Sequence, residues 1–208
     1  MADACVLYSR VLRDYLLYAM RAQLIHVVWS ETILGEVTEH LMANRPGFTQ
    51  DSADRLVQAM NLTYPYAQRD PSPVDFDRLA GVALPDEDDR HVIATALGAP
   101  AAGICTLNLG DFPPAVMARF DLDVITPDDL LGRLIREHED SMLWVHRMSV
   151  ESLPGATDES TMRALVKAGA PLTASLMAEV LSVSALSVCF PAAQIGLTIP
   201  AAHLGVAS

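Results

Sequence analysis

The chain has 208 residues, with 14 Lys and Arg against 26 Asp and Glu, and a formal net charge of −12. Apolar residues make up 51% and charged residues 19%. That is ample side chain to bury, so a disordered acidic chain is excluded. The acidity also excludes a protein that grips nucleic acid by a basic face alone, because that mode needs clustered Lys and Arg.

The cysteines, Cys5, Cys105 and Cys189, have no C-x-x-C spacing. This speaks against a disulfide framework or structural zinc site and for a reducing, cytoplasmic compartment. The first five residues carry no basic stretch leading into an apolar run, so no secretory signal is expected.

In chain order, Val11 to Met20 has apolar residues at helical spacing, and Leu24 to Trp29 reads as extended. Ser30 is a good N-cap for a helix over Glu31 to Met42. A helix fits Asp51 to Asn61, and Tyr64 to Pro73 is turn-rich. Pro85-Asp86 is read as the start of a helix carrying Val92, Ile93, Ala96 and Leu97. Ala101 to Leu107 reads as a buried strand, Val124-Ile125 as a short one, and Pro127 to Trp144 as one long helix. This alternation predicts an α/β fold, a parallel sheet covered by helices.

A Pro-Gly break at Pro154-Gly155 then leads to helices near Glu159 to Lys167 and Leu172 to Leu181. The expected organisation is a domain over residues 1–148, a helical extension over 149–181, and an uncharged apolar tail over 182–208, poorly ordered or docked. From Val180 to Ser208 there is no Asp, Glu, Lys or Arg. Pro191, Pro200, Gln194 and His203 make that stretch a poor spanning helix, so no membrane segment is expected.

Four places put carboxylates where chemistry is plausible. Asp3 precedes an apolar run, as an acid at a strand end does, and open α/β sheets carry ligands at such ends. Glu36 borders the apolar face of its helix, where an acid is costly unless paired or metal-bound. Asp89 closes the run Asp86-Glu87-Asp88-Asp89 and sits on the buried face, three residues before Val92 and four before Ile93. Repulsion within that run would be relieved by Mg²⁺ or Mn²⁺, hard cations that take oxygen ligands. Asn108 and Asp111 lie in a loop directly after the buried strand. Read singly, each has an ordinary structural explanation: a chain-end acid, a solvated helix face, a charged first turn, an Asn-x-Gly-Asp turn.

Their order carries more. Asp3 to Tyr8 with Leu12-Arg13-Asp14, then Trp29-Ser30-Glu31-x-x-Leu34-x-Glu36, resembles the PIN-domain family. So does Leu84-Pro85-Asp86-x-x-Asp89-Arg90-His91-Val92-Ile93-Ala94 with Thr106-x-Asn108-x-x-Asp111-Phe112-Pro113. Within that family the likeness is to VapC-like toxin ribonucleases of toxin–antitoxin systems. It covers Met1 to about Ile125.

The resemblance implies a three-layer α/β/α fold with a central parallel sheet, followed here by the C-terminal helical extension. It also implies a metal-dependent ribonuclease. Asp3, Glu36 and Asp89 match the family's three core acids, and Asp111 with Asn108 matches its variable fourth site. These residues would hold Mg²⁺ or Mn²⁺, and a metal-activated water would attack the RNA phosphodiester in line. The implied partners are an RNA substrate, a cognate antitoxin and a second copy in a homodimer. Two departures stand out. Asn108 takes a place where many relatives have Asp, and only Met1 and Ala2 precede Asp3, where the family runs a full central strand. A stub of that strand is therefore expected, as from a downstream start or a truncated chain.

The competing reading is a catalytically idle PIN-like module that binds a partner. A phosphatase or receiver reading fares worse. Asp3-Ala4-Cys5 lacks a second Asp, and the sole lysine, Lys167, follows no late strand. His91 reads as structural; Arg13 and Arg90 could pair with acids or approach phosphate.

Overall fold

The computed structural model describes residues 1–189, with side chains through Ser184. Helices dominate: α1 (Ala4–Tyr8), α2 (Arg10–Arg21), α3 (Glu31–Asn44), α4 (Gln50–Thr63), α5 (Pro73–Asp77) and α6 (Arg90–Gly98) lie in the first half. The second half holds β1 (Gly103–Cys105), α7 (Pro114–Met117), β2 (Asp123–Ile125), α8 (Pro127–Glu137), α9 (Glu139–Glu151), α10 (Asp158–Lys167) and α11 (Pro171–Cys189).

The sheet is small. β1 and β2 pair in parallel, with Ile104 opposite Val124. The chain start lies on the other side of β1: Ala2 bridges Cys105 in parallel. The N–H of Cys105 donates to the carbonyl of Met1 at 2.8 Å, and that of Asp3 to the carbonyl of Cys105 at 3.0 Å. The N–H of Ala2 donates outward to the carbonyl of Val28 at 3.0 Å. Two residues thus hold the place between Val28 and β1, as a stub would.

Local chemistry explains the framing helices. Ser30 Oγ accepts from the N–H of Ile33, capping α3, whose Ile33, Leu34, Val37 and Leu41 are buried. The fully buried Trp29 donates its indole N–H to Asn61 on α4 at 3.0 Å. One hydrophobic core runs from Met1 to Val180 and takes in Leu165, Ala174 and Met177 of the last two helices. Asp128 on α8 accepts from the N–H groups of Leu172 and Thr173, closing the N-terminus of α11. A hydrogen-bonded chain, buried at Tyr15 and His146 and ending at the exposed Asp158, joins three more helices: the Tyr15 hydroxyl meets His146 Nδ1 at 2.6 Å, and His146 Nε2 meets Asp158 at 3.1 Å.

Several elements differ from the sequence expectation. The helix expected to open at Pro85-Asp86 begins at Arg90. Side chains hold the preceding acids in turns: Asp86 accepts from the N–H of Asp88, and Glu87 from the N–H of Leu84 and from Arg90. Such local bonds compete with helix formation. The single helix expected over Pro127 to Trp144 is two, because His138 leaves helical dihedrals (φ −141, ψ 52). The break lets α9 bury Met142, Val145 and His146. The strand expected over Ala101 to Leu107 shrinks to three residues, because Ala101 folds back onto α6 and Leu107 turns toward Cys5. Leu24 to Trp29 contributes only the Val28 carbonyl and a bridge from Trp29 to Gln68. α11 runs past Leu181 to Cys189, into the expected tail; residues 190–208 of that tail lie outside the described residues. Among the described residues no helix is long and apolar enough to cross a membrane.

β1 leaves no room for a side chain against β2 at Gly103, where an added Cβ would collide with the carbonyl of Asp123. Gly103→Ala is therefore expected to push the strands apart and cost about 1–3 kcal/mol in urea unfolding. Wild-type stability in this variant would show that the pairing tolerates a side chain there.

Candidate active site at the ends of the parallel strands

Asp3 leaves the stub at the level where Thr106 leaves β1. Its side chain is 5% exposed and caps α1. One carboxylate oxygen accepts from the N–H of Ala4 at 2.6 Å, and the other from Thr106 Oγ1 at 2.6 Å. The Cys5 thiol donates to that second oxygen at 3.1 Å. Burial and the Asp3 charge push the Cys5 thiol up to about 12, so it remains a donor rather than a thiolate.

Asp89 stands half-buried just ahead of α6 and makes no side-chain cap of its own. Burial, then the charges of Asp3, Asp111 and Asp86, push its carboxyl up to about 6. The charges of Asp3 and Asp111 thus reach Asp89, which puts the three carboxylates in one neighbourhood. Asp111 sits on a short 3-10 turn over Leu109–Asp111. That turn starts from Thr106, whose hydroxyl also accepts from the N–H of Asn108 at 3.0 Å.

Glu36 joins through His91. The His91 Nε2 lies 2.8 Å from Glu36 Oε1, and the Glu36 side chain is 43% exposed. The acid expected to be costly on an apolar face is thus paired and wet. Burial alone would lower the His91 pKa, but the Glu36 bond and charge, with Asp89 and Asp3, hold it above the ordinary value. His91 Nδ1 is buried without a hydrogen-bond partner.

The structure thus brings Asp3, Glu36, Asp89 and Asp111 to one region. Asn108 is exposed on the adjoining turn and makes no described side-chain bond to them. Arg13 is buried and donates to the carbonyl of Leu7 at 2.6 Å. Arg90 holds the carbonyls of Leu79 and Val82 and pairs with Glu87. Both are structural. Sequence reasoning missed the roles of Thr106 and Cys5 and left His91 out. Thr106 directly follows the buried strand, which is the one signal that could have found it.

The donor chemistry suits a hard divalent cation: carboxylate oxygens that repel one another, with His91 offsetting part of the charge at Asp89 and Glu36. The arrangement is open, however. Among the described residues no three His, Cys, Asp or Glu side chains stand closely enough together to hold one ion.

The raised Asp89 pKa has a consequence for stability without metal. The folded chain takes up a proton between the ordinary Asp range and about pH 6, so stability falls as pH rises through that window. In chelator, Asp89→Asn is expected to stabilise the protein above that window by on the order of 1 kcal/mol, since solvent screens a half-exposed carboxylate. The gain should fade below about pH 4. Thermal melts across pH check this; a gain independent of pH would contradict it.

A family profile described as PIN domain matches residues 1–110. Neither the curated proteins nor the solved structures returned a match. PIN domains are commonly nucleases, which supports a hydrolase in general terms. The match spans more than half of the 208 residues and takes in Asp3, Glu36 and Asp89, so the chain belongs to the PIN-domain family.

Proposed function

We propose that the protein is a metal-dependent endoribonuclease, the toxin of a toxin–antitoxin pair, acting in the cytoplasm with Mg²⁺ or Mn²⁺ on RNA. The observation that carries the reading is the gathering of Asp3, Asp89 and Asp111 at the strand ends, with Asp3 fixed by Thr106 and the Asp89 carboxyl raised by burial and by its acidic neighbours. Burial combined with repulsion of this kind is typical of groups arranged for chemistry rather than for stability. The likeness to VapC-like toxins in the Asp89-Arg90-His91-Val92-Ile93-Ala94 and Asn108-x-x-Asp111-Phe112-Pro113 segments supports the subtype. A cognate antitoxin and a homodimer are the corresponding partners. The parallel arrangement from Ala2 through β1 to β2 supports a three-layer α/β/α reading of residues 1–148, with 149–181 as the extension.

Drawn closer together than they stand in this structure, Asp3, Glu36, Asp89 and Asp111, with Asn108 beside them, would hold the metal. When bound, the ion supplies a water of lowered pKa and charge opposite the phosphate. Asp3 is the fixed member, since Thr106 and the Ala4 N–H hold both of its oxygens in place. Thr106 is thus a positioning residue. His91 orients Glu36 through their 2.8 Å contact.

A second reading, an idle PIN-like module that binds a partner, is favoured by one feature: His91 occupies Glu36 while Asn108 stands in place of an acid.

Single-stranded or transfer RNA incubated with Mn²⁺ tests the proposal. Cleavage is expected, and EDTA or Asp89→Ala should abolish it. Thr106→Val should raise the Mn²⁺ concentration needed by about 10–100-fold. Cleavage that persists in EDTA and in Asp89→Ala would overturn the metal mechanism, and no cleavage at all would favour the idle module.

A further inference from the structure

A cavity of about 750 Å³ opens beside the acids, walled by α1 and α2, the end of α3, and α9 with α10. Cys5 and Leu107 line its inner end. Cys5 is the residue that bonds Asp3, and Leu107 donates its N–H to the Cys5 sulfur at 3.3 Å. The cavity therefore ends one side chain from the candidate active site.

Its charge runs against that of the whole chain. Arg10, Arg45 and Lys167 line it, opposed by the single carboxylate of Asp14. Arg10 is spent on Asp14 and on the carbonyl of Ser152. Arg45 and Lys167 are exposed, and neither side chain has a hydrogen-bond or ion-pair partner among the described residues. Lys167 is the chain's only lysine. Tyr8 lines the same wall, its ring 4.1 Å from that of His40. Two free cations along a groove with an aromatic face are the elements by which single strands are held, through phosphates and stacked bases.

We infer that this groove is the path of a single-stranded RNA toward the acids, with Arg45 and Lys167 on its phosphates and Tyr8 against a base. The inference rests on the nuclease reading for its substrate, and it gives α10 a role, since this helix carries Lys167 into the groove wall. The cations would offset the −12 charge locally, bringing a polyanion to within one residue of Asp3.

Binding of a fluorescent oligouridylate in chelator, read by anisotropy over a salt series, separates this inference from the nuclease reading. Arg45→Ala with Lys167→Ala should weaken binding at least about tenfold and reduce the slope of log affinity against log salt by about 1.4. Arg136→Ala, outside the cavity, should bind as wild type does, and circular dichroism should show both variants folded. Weakened binding in a protein that never cleaves RNA would leave the groove standing and sink only the nuclease reading. No binding by wild type, or an unchanged salt slope in the double variant, would overturn the groove. So would binding of polyglutamate without oligouridylate, which would assign the groove to an acidic protein segment.

Discussion

Parallel pairing of the chain start with β1 places the acids. Two backbone bonds, Cys105 to Met1 and Asp3 to Cys105, bring Asp3 and Thr106 out of the ladder side by side. From there the Thr106 hydroxyl reaches Asp3 on one side and the turn bearing Asn108 and Asp111 on the other. Asp89 arrives from a different element, at the head of α6, where burial and then the charges of Asp3 and Asp111 raise its pKa. Take away the pairing and these groups share no scaffold.

The negative charge has a distribution as well as a total. Carboxylates gather at the strand ends, while Arg45 and Lys167, without partners among the described residues, line the neighbouring groove. A chain of −12 net charge repels RNA at long range. The proposed recognition of RNA would then be local, with cations along the strand and a divalent ion at the acids. The C-terminal helices contribute to both stability and surface, since Leu165 joins the core while Lys167, on the same helix, lines the groove.

Much of this was legible in the sequence. Helical spacing marks α2 and α4, Ser30 marks the start of α3, and apolar runs mark both strands, because these signals are local. The start of α6 and the break at His138 escaped. In the first case side-chain bonds of Asp86 and Glu87 override helix propensity; in the second, apolar periodicity continues through a residue that tertiary packing bends. The acids Asp3, Asp89 and Asp111 stand out by type and order, and their convergence could be anticipated. The contacts of Thr106 with Asp3 and of His91 with Glu36 join residues 103 and 55 positions apart, which no spacing rule reaches. The groove is equally hidden, since Tyr8, Arg45 and Lys167 come from three separate helical regions.

Whether the crowded acids are a cation site is settled by calorimetry with Mn²⁺ at neutral pH. Binding is expected in the wild type, with proton release that grows as pH falls toward the raised pKa of Asp89, and loss of binding in Asp3→Asn and Asp89→Asn. Absence of any Mn²⁺ binding, or binding by the two variants equal to that of the wild type, would contradict a cation site there.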